Sequence, residues 1–301
     1  MTSSEPGARL PRRTVRRRGE WAVGNNGDVD FAVSRRCRHQ FADLSDGRIG
    51  NDGCLICPWH GSRYDVQSGE MVAGPRGFLF WHGPTNSADP ASNASVTFNG
   101  TPITGTNIGT ASDNNWGFQN SQSYRADVTS LVSGNGTYNL TNFLKADADI
   151  NGVSLIVFYN DSDPSNDRNV VAWNGNDSNI AFGSDPANWD ETISGVPYPG
   201  SGAASLDLVV SDGQSYNDAD VVVNGTTVAA AGAIFQGDSG PNYAGNPGGV
   251  TGSLWDVKSF NITSLLTSGG NNLHLTSGTA GDALSLVVAI ANVPASAPVI
   301  G

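Results

Sequence analysis

The stretch "ADVTSLVSGNGTYNLT" at 126–141 returns as "FNITSLLTSGGNNLHLT" at 260–276, and the two copies share their surroundings. Each is preceded by an apolar run ending in Asn-Gly-Thr ("VTFNGT" and "VVVNGT") and followed by another ("VSLIVFY" and "LSLVVAI"). Asn99, Thr129 and Leu155 in the first copy thus answer to Asn224, Thr263 and Leu286 in the second, in the same order and at nearly the same spacing. Self-similarity at so long and so steady an offset means one folding unit used twice. The apolar runs are short, rich in β-branched residues and bounded by Asn-Gly and Asp-Gly, dipeptides suited to the left-handed turn of a tight hairpin. Helical periodicity is scarce. The expectation is an all-β chain in which two related β-sandwich or jelly-roll units occupy residues 85–204 and 205–301.

The N-terminal segment, 1–84, differs in kind. Residues 1–80 carry 12 of the 16 Lys and Arg against 9 acids, a net +3, whereas 81–301 carry 4 against 19, a net −15. That asymmetry marks two units of different origin, and the abrupt change at "FLFWHGPTNSADPASNAS" reads as the join of a fusion. No apolar run of signal-peptide length follows the N-terminal arginines, and no stretch is long and apolar enough to span a membrane, which argues for a soluble cytoplasmic chain. The β-region points elsewhere. It resembles β-rich repeat domains of unassigned function in secreted or surface bacterial proteins, and so implies an extracellular alternative and self-association through that region.

All three cysteines and two of the four histidines lie between positions 37 and 65, in "CRHQFADLSDGRIGNDGCLICPWHGSRYD". Cys37-x-His39 and Cys57-x-x-His60 are two thiolate–imidazole pairs in separate loops, a donor set for a transition metal. Two Cys and two His also make an ordinary tetrahedral zinc site. In zinc fingers of that composition, however, the cysteines usually share one knuckle and the histidines the other. Here each loop supplies one of each, which suits two inequivalent irons, two Cys on one and two His on the other.

"CRH" and "CPWHGSRYDVQSGE" closely resemble the two cluster loops of the Rieske [2Fe–2S] family, down to Pro58 and Gly61. The resemblance covers about residues 12–84. It implies a small antiparallel β domain over 1–84, with strands at 14–18 and 21–33 upstream and a hairpin at 62–72 downstream. It further implies that Cys37 and Cys57 hold the inner iron, and His39 and His60 the outer. Ser62 and Tyr64 stand where some members donate hydroxyl hydrogen bonds to cluster sulfur, which raises the reduction potential. The paired cysteines that clamp the respiratory members are replaced by Ala42 and Trp59, so no clamp forms, and Cys54 reads as an unpaired thiol. An intermediate potential follows.

Several other functions are excluded. A ring-hydroxylating oxygenase needs a second iron held by two histidines and a carboxylate. Only His82 and His274 remain, at opposite ends of the β-region, and they read as an edge-strand residue and a solvent-facing strand residue. The same shortage leaves no histidine-partnered nucleophile. Oxygen-rich stretches at 160–167 and 183–191 admit calcium as a further cofactor, but lack helix-loop-helix spacing and read as turns. Arg9, Arg12, Arg13, Arg16, Arg17 and Arg18 lack interleaved aromatics and sit in an acidic chain, so nucleic acid is not expected. They suit a solvated strand face or a docking patch for an acidic redox partner. The expected function is one-electron transfer by a ferredoxin-like component without its own oxygenase site, served by a reductase and an acceptor. The alternative is a structural or adhesion protein in which the metal only staples the N-terminal domain.

Overall fold

The computed structural model describes residues 10–36, 43–58, 62–69, 71–73, 76–132, 136–143, 148–159, 166–239 and 254–295. Among them the regular elements are strands and three short 3-10 turns, so the chain is all-β. Two compact units are distinguished: residues 1–78 with 127–137 and 156–165, and the remainder.

In the first unit, β1 (Thr14–Arg18), β2 (Trp21–Asn25) and β3 (Asp30–Ser34) form an antiparallel sheet in that order. The run expected as one strand over 21–33 is thus two. Asn26 turns the chain, its Oδ1 accepting from the Asp28 and Val29 amides while its own amide donates to Val29 O. This is an Asx turn, a local competitor of strand extension that strand periodicity cannot show. A second antiparallel sheet follows: β4 (Arg48–Ile49), β5 (Leu55–Ile56), β6 (Arg63–Tyr64) and β7 (Met71–Ala73). Ala22, Phe31, Leu44, Leu55, Cys57, Tyr64 and Val66 make the core between them.

The long β-region begins at β8 (Arg76–Thr85) and continues through β9 (Ser95–Phe98), β10 (Thr101–Thr104), β11 (Thr106–Ala111), β12 (Asn120–Asp127), β13 (Leu140–Thr141) and β14 (Gly152–Phe158). Their sheets have the orders β11-β12-β8-β14 and β10-β9-β13. Next come β15 (Arg168–Ser178), β16 (Trp189–Tyr198), β17 (Ser205–Ser211), β18 (Val221–Val223), β19 (Thr226–Ala229), β20 (Trp255–Asn261), β21 (Gly269–Ser277) and β22 (Ser285–Pro294), ordered β15-β22-β17-β20 and β16-β21-β18-β19.

The sequence repeat is therefore a repeat of topology. The sets β12-β8-β14 and β10-β9-β13 correspond to β20-β17-β22 and β19-β18-β21. Details recur with it. Asn99-Gly100 and Asn224-Gly225 both take positive φ (47° and 77°, 50° and 75°), as a type I′ hairpin turn requires. The Asn99 side chain accepts from the Asn139 amide and that of Asn224 from the His274 amide. Both "TSL" triplets form 3-10 turns, whose threonine hydroxyls accept from the Gly77 and Ala204 amides at 3.1 and 2.8 Å. The extra strands β15 and β16 precede residue 204, yet pair with β22 and β21. Strands on both sides of the expected 204/205 boundary thus share sheets.

Leu206, Leu208, Val221, Val223, Leu273, Leu275 and Leu286 project between the two four-stranded sheets of the second repeat, together with Trp189 and Phe235. Several aspartates are buried near them. Burial pushes Asp177 and Asp282 up to about 7 and Asp256 to about 6. Between the ordinary carboxylate range and those values the folded state retains protons that the unfolded chain has lost, so stability falls as pH rises through that window. In the first unit the direction is opposite: a hydrogen bond from Arg63 holds Asp52 at about 2, which costs stability only as pH falls below the ordinary range. Circular dichroism melts should therefore show the second unit with a higher Tm at pH 5 than at pH 8. An unchanged or rising Tm over that interval would contradict the burial of these acids.

Candidate metal centre

Two loops carry the expected donors, and the described residues show how each is held at its ends. Leu44 N donates to Arg35 O at 2.7 Å, and Arg36 bridges Asp43 across the first loop. The Arg35 guanidinium adds an ion pair to Asp43 at 2.7 Å. Asp43 also caps the short turn Leu44–Asp46, accepting from the Ser45 amide and hydroxyl. The Ser45 hydroxyl, ahead of Arg35, holds the Asp43 carboxyl below its usual range. The second loop is the connection of the β5–β6 hairpin, in which Leu55 faces Tyr64 and Ile56 faces Arg63. Cys57 N donates to Ser62 O at 2.8 Å and closes its base. Asp52 ties the same hairpin through Arg63.

Of the expected site residues, Cys57, Ser62 and Tyr64 are described, and all three are buried. Cys37, His39 and His60 lie outside the described residues, as do Ala42, Trp59 and Arg9. Cys54 is half-buried, its thiol pushed up chiefly by burial and by the Asp52 carboxylate, so it stays protonated. Arg16, Arg17 and Arg18 lie on the edge strand β1 and all three are exposed, where charge opposes edge-to-edge pairing. Sequence reasoning missed the Arg35–Asp43 clasp, because an ion pair that closes a loop follows no strand or helix period and leaves no periodic trace.

Ser62 tests the fit of a cluster. Its hydroxyl is completely buried and has no hydrogen-bond partner among the described residues, a state that costs roughly 1–3 kcal/mol if nothing accepts from it. It follows the Cys57–His60 loop directly, and a sulfur acceptor held there would satisfy it. The donor chemistry and this hydroxyl fit a [2Fe–2S] group.

His82 is no edge residue: β8 is an inner strand, and the imidazole is fully buried with Nδ1 2.7 Å from Ser211 Oγ. Burial drives it down to about 3 and keeps it neutral. "FLFWHGPT" lies in β8, the leading strand of the β-region, and pairing with β12 on one side and β14 on the other takes it off the sheet edge. His274 does face solvent, paired with Asp190. Residues 183–191 form the β15–β16 turn and the start of β16, with Phe182 bridging Asp185, and 160–165 lie outside the described residues. Among the described residues no group of three or more acidic, His or Cys side chains is placed to hold a metal ion, nor is any helix long and apolar enough to cross a membrane.

The architecture and loops define an all-β protein whose N-terminal part is a Rieske [2Fe–2S] domain: that family model matches residues 8–77. The chain as a whole belongs to the family described as "protein of unknown function (DUF3344)", whose model matches residues 78–293. The two models meet inside β8, whereas composition placed the join at 84/85. Over 75 residues the chain is 35% identical to the ferredoxin subunit of anthranilate 1,2-dioxygenase from Burkholderia cepacia, covering 25% of this chain and 64% of that protein. Over 35 residues it is 54% identical to aminopyrrolnitrin oxygenase from Pseudomonas fluorescens, covering 12% of this chain and 9% of the oxygenase. This chain thus spans under two thirds of either relative. A β-porphyranase of glycoside hydrolase family 86 from Bacteroides plebeius aligns over 74% of this chain and 31% of its own at 16% identity and a TM-score of 0.26, too loose a likeness to define a fold.

Proposed function

We propose that this chain is a one-electron carrier whose cluster is held by Cys37 and Cys57 on one iron and by His39 and His60 on the other. The observation that carries the reading is the buried Ser62 hydroxyl beside the second loop, which finds no partner among the described residues. Such a cluster, when bound, supplies one-electron exchange. The chain's own residues do the rest. Arg35 and Asp43 fix the entry and exit of the first loop, and the Cys57–Ser62 backbone bond fixes the second. Ser62 and Tyr64 direct hydroxyl donors toward sulfur, and such donors favour the more negative, reduced form. Similarity to a dioxygenase ferredoxin subunit supports a reductase as electron source and an oxygenase-type protein as acceptor, with the β-region as scaffold or docking module.

The test is an electron paramagnetic resonance spectrum of the dithionite-reduced protein, with iron, sulfide and zinc analysis of the same sample. A low-average-g rhombic signal with stoichiometric iron and sulfide is expected. Zinc without that signal would mean a structural staple and end the redox reading. Potentiometry on Ser62→Ala should then show a potential lower by on the order of 50 mV, the one-electron equivalent of a hydrogen bond worth about 1 kcal/mol more to the reduced state. An unchanged potential would remove Ser62 from the tuning role.

A further inference from the structure

At one end of the second unit a cavity of about 460 Å³ opens among four loops: the β11–β12 loop with Asn115 and Trp116, the segment after β15, the loop after β17 with Asp212 and Tyr216, and the β21–β22 loop with Asp282. Its size falls within the roughly 300–1,000 Å³ range of small-molecule pockets. The walls are held in place before any ligand arrives. Trp116 Nε1 donates to Asp212 Oδ1 at 2.7 Å, and Asn151 Nδ2 donates to the same oxygen at 3.2 Å. Asn114 accepts from Ser178 Oγ and donates to Ser285 Oγ. Gln214 N donates to Asp282 Oδ2 at 2.8 Å. Asn114, Asn115 and Asp212 all hold positive φ (54°, 67° and 75°). Non-glycine residues adopt that conformation at a cost, which surrounding structure must sustain.

The lining selects a ligand class by what it contains and what it omits. Among the described residues it includes no Lys, Arg or His, so a phosphate or carboxylate ligand would meet two buried acids and no countercharge. Burial holds Asp212 well above the usual carboxylate range and Asp282 at about 7. Burial thus favours the neutral carboxyl at both positions, which lowers their pull on a cation. Beside them stand amides, a threonine hydroxyl and two aromatic rings, of which Tyr216 is 46% exposed at the mouth. Groups that both donate and accept, next to an apolar ring face, match a molecule with alternating hydroxyl edges and C–H faces.

We infer that this loop cavity is a binding site for a neutral polyhydroxylated ligand, a sugar unit, seated against Trp116 and Tyr216 and hydrogen-bonded by Asp212, Asp282 and Asn115. The site is independent of the electron-transfer reading.

The experiment is saturation-transfer NMR and calorimetry on the full chain. The probes are D-glucose, D-galactose, D-mannose and N-acetyl-D-glucosamine, with tetramethylammonium chloride and calcium chloride as cationic competitors. Binding of at least one sugar is expected, weakened about tenfold or more in Tyr216→Ala and in Asn115→Gly. Both residues are exposed, and glycine keeps the left-handed turn, so neither variant should unfold; circular dichroism checks this. Sugar binding that both variants leave intact would place the sugar elsewhere and overturn the assignment. Binding of either cation with no sugar, or of none of the six probes, would overturn it as well.

Discussion

Cys57→Ser is expected to abolish the cluster's visible absorption and to unfold the N-terminal unit while the β-region stays folded. The unit is small, and among the described residues its core comprises seven buried side chains, of which Cys57 is one. A domain of that size buries too little apolar surface to be robust alone, and natural examples rely on a metal or cross-links. Bound-metal free energy is then folding free energy, on the order of 10 kcal/mol for structural sites. Serine's hydroxyl is a poor substitute for a thiolate on iron, and Cys37→Ser and His60→Ala should behave alike. Cys54→Ser is the control: its thiol is half-buried and protonated, so the absorption should persist. Absorption retained by Cys57→Ser would show that the ligand set is wrong. Loss of the β-region's circular dichroism signal would show that the units do not fold separately.

Trp189→Ala should have the converse result. The indole is fully buried, packs edge-on against Phe235 with centroids 5.7 Å apart, and donates to Leu284 O. Truncating so large a core side chain removes its transfer free energy and leaves a cavity, together about 3–5 kcal/mol. Urea unfolding followed by circular dichroism should show that loss in the β-region, with the N-terminal absorption unchanged. A loss under about 1 kcal/mol would mean that the space between the two sheets of the second repeat is not the stabilising core assigned here.

Short-range chemistry was the readable part of this chain. The Cys-x-His and Cys-x-x-His spacing, with the residues after it, identified the Rieske domain. Asn99-Gly100 and Asn224-Gly225 announced hairpins because few other pairs adopt two successive positive φ values cheaply. The "TSL" copies revealed the repeat, since each threonine hydroxyl meets the equivalent backbone amide in its own copy. Misreadings began where a residue's fate depended on distant neighbours. His82 looked like a strand edge until β8 was flanked by β12 and β14. Strands β15 and β16 follow the first repeat in sequence yet complete the sheets of the second.

By itself, then, the sequence determined the strand-forming character of the chain, its hairpin turns, its doubled unit and the donor types of a metal loop. Each of these is written in a few adjacent residues. Tertiary structure alone decided which strands became neighbours, that Ser62 is buried without a partner among the described residues, and that Asp212 and Asp282 face one cavity from loops far apart in the chain. The physical reason is that strand pairing, burial and convergence of loops are properties of residues distant in the chain. Their free energies arise only when the sheets have closed over a shared core.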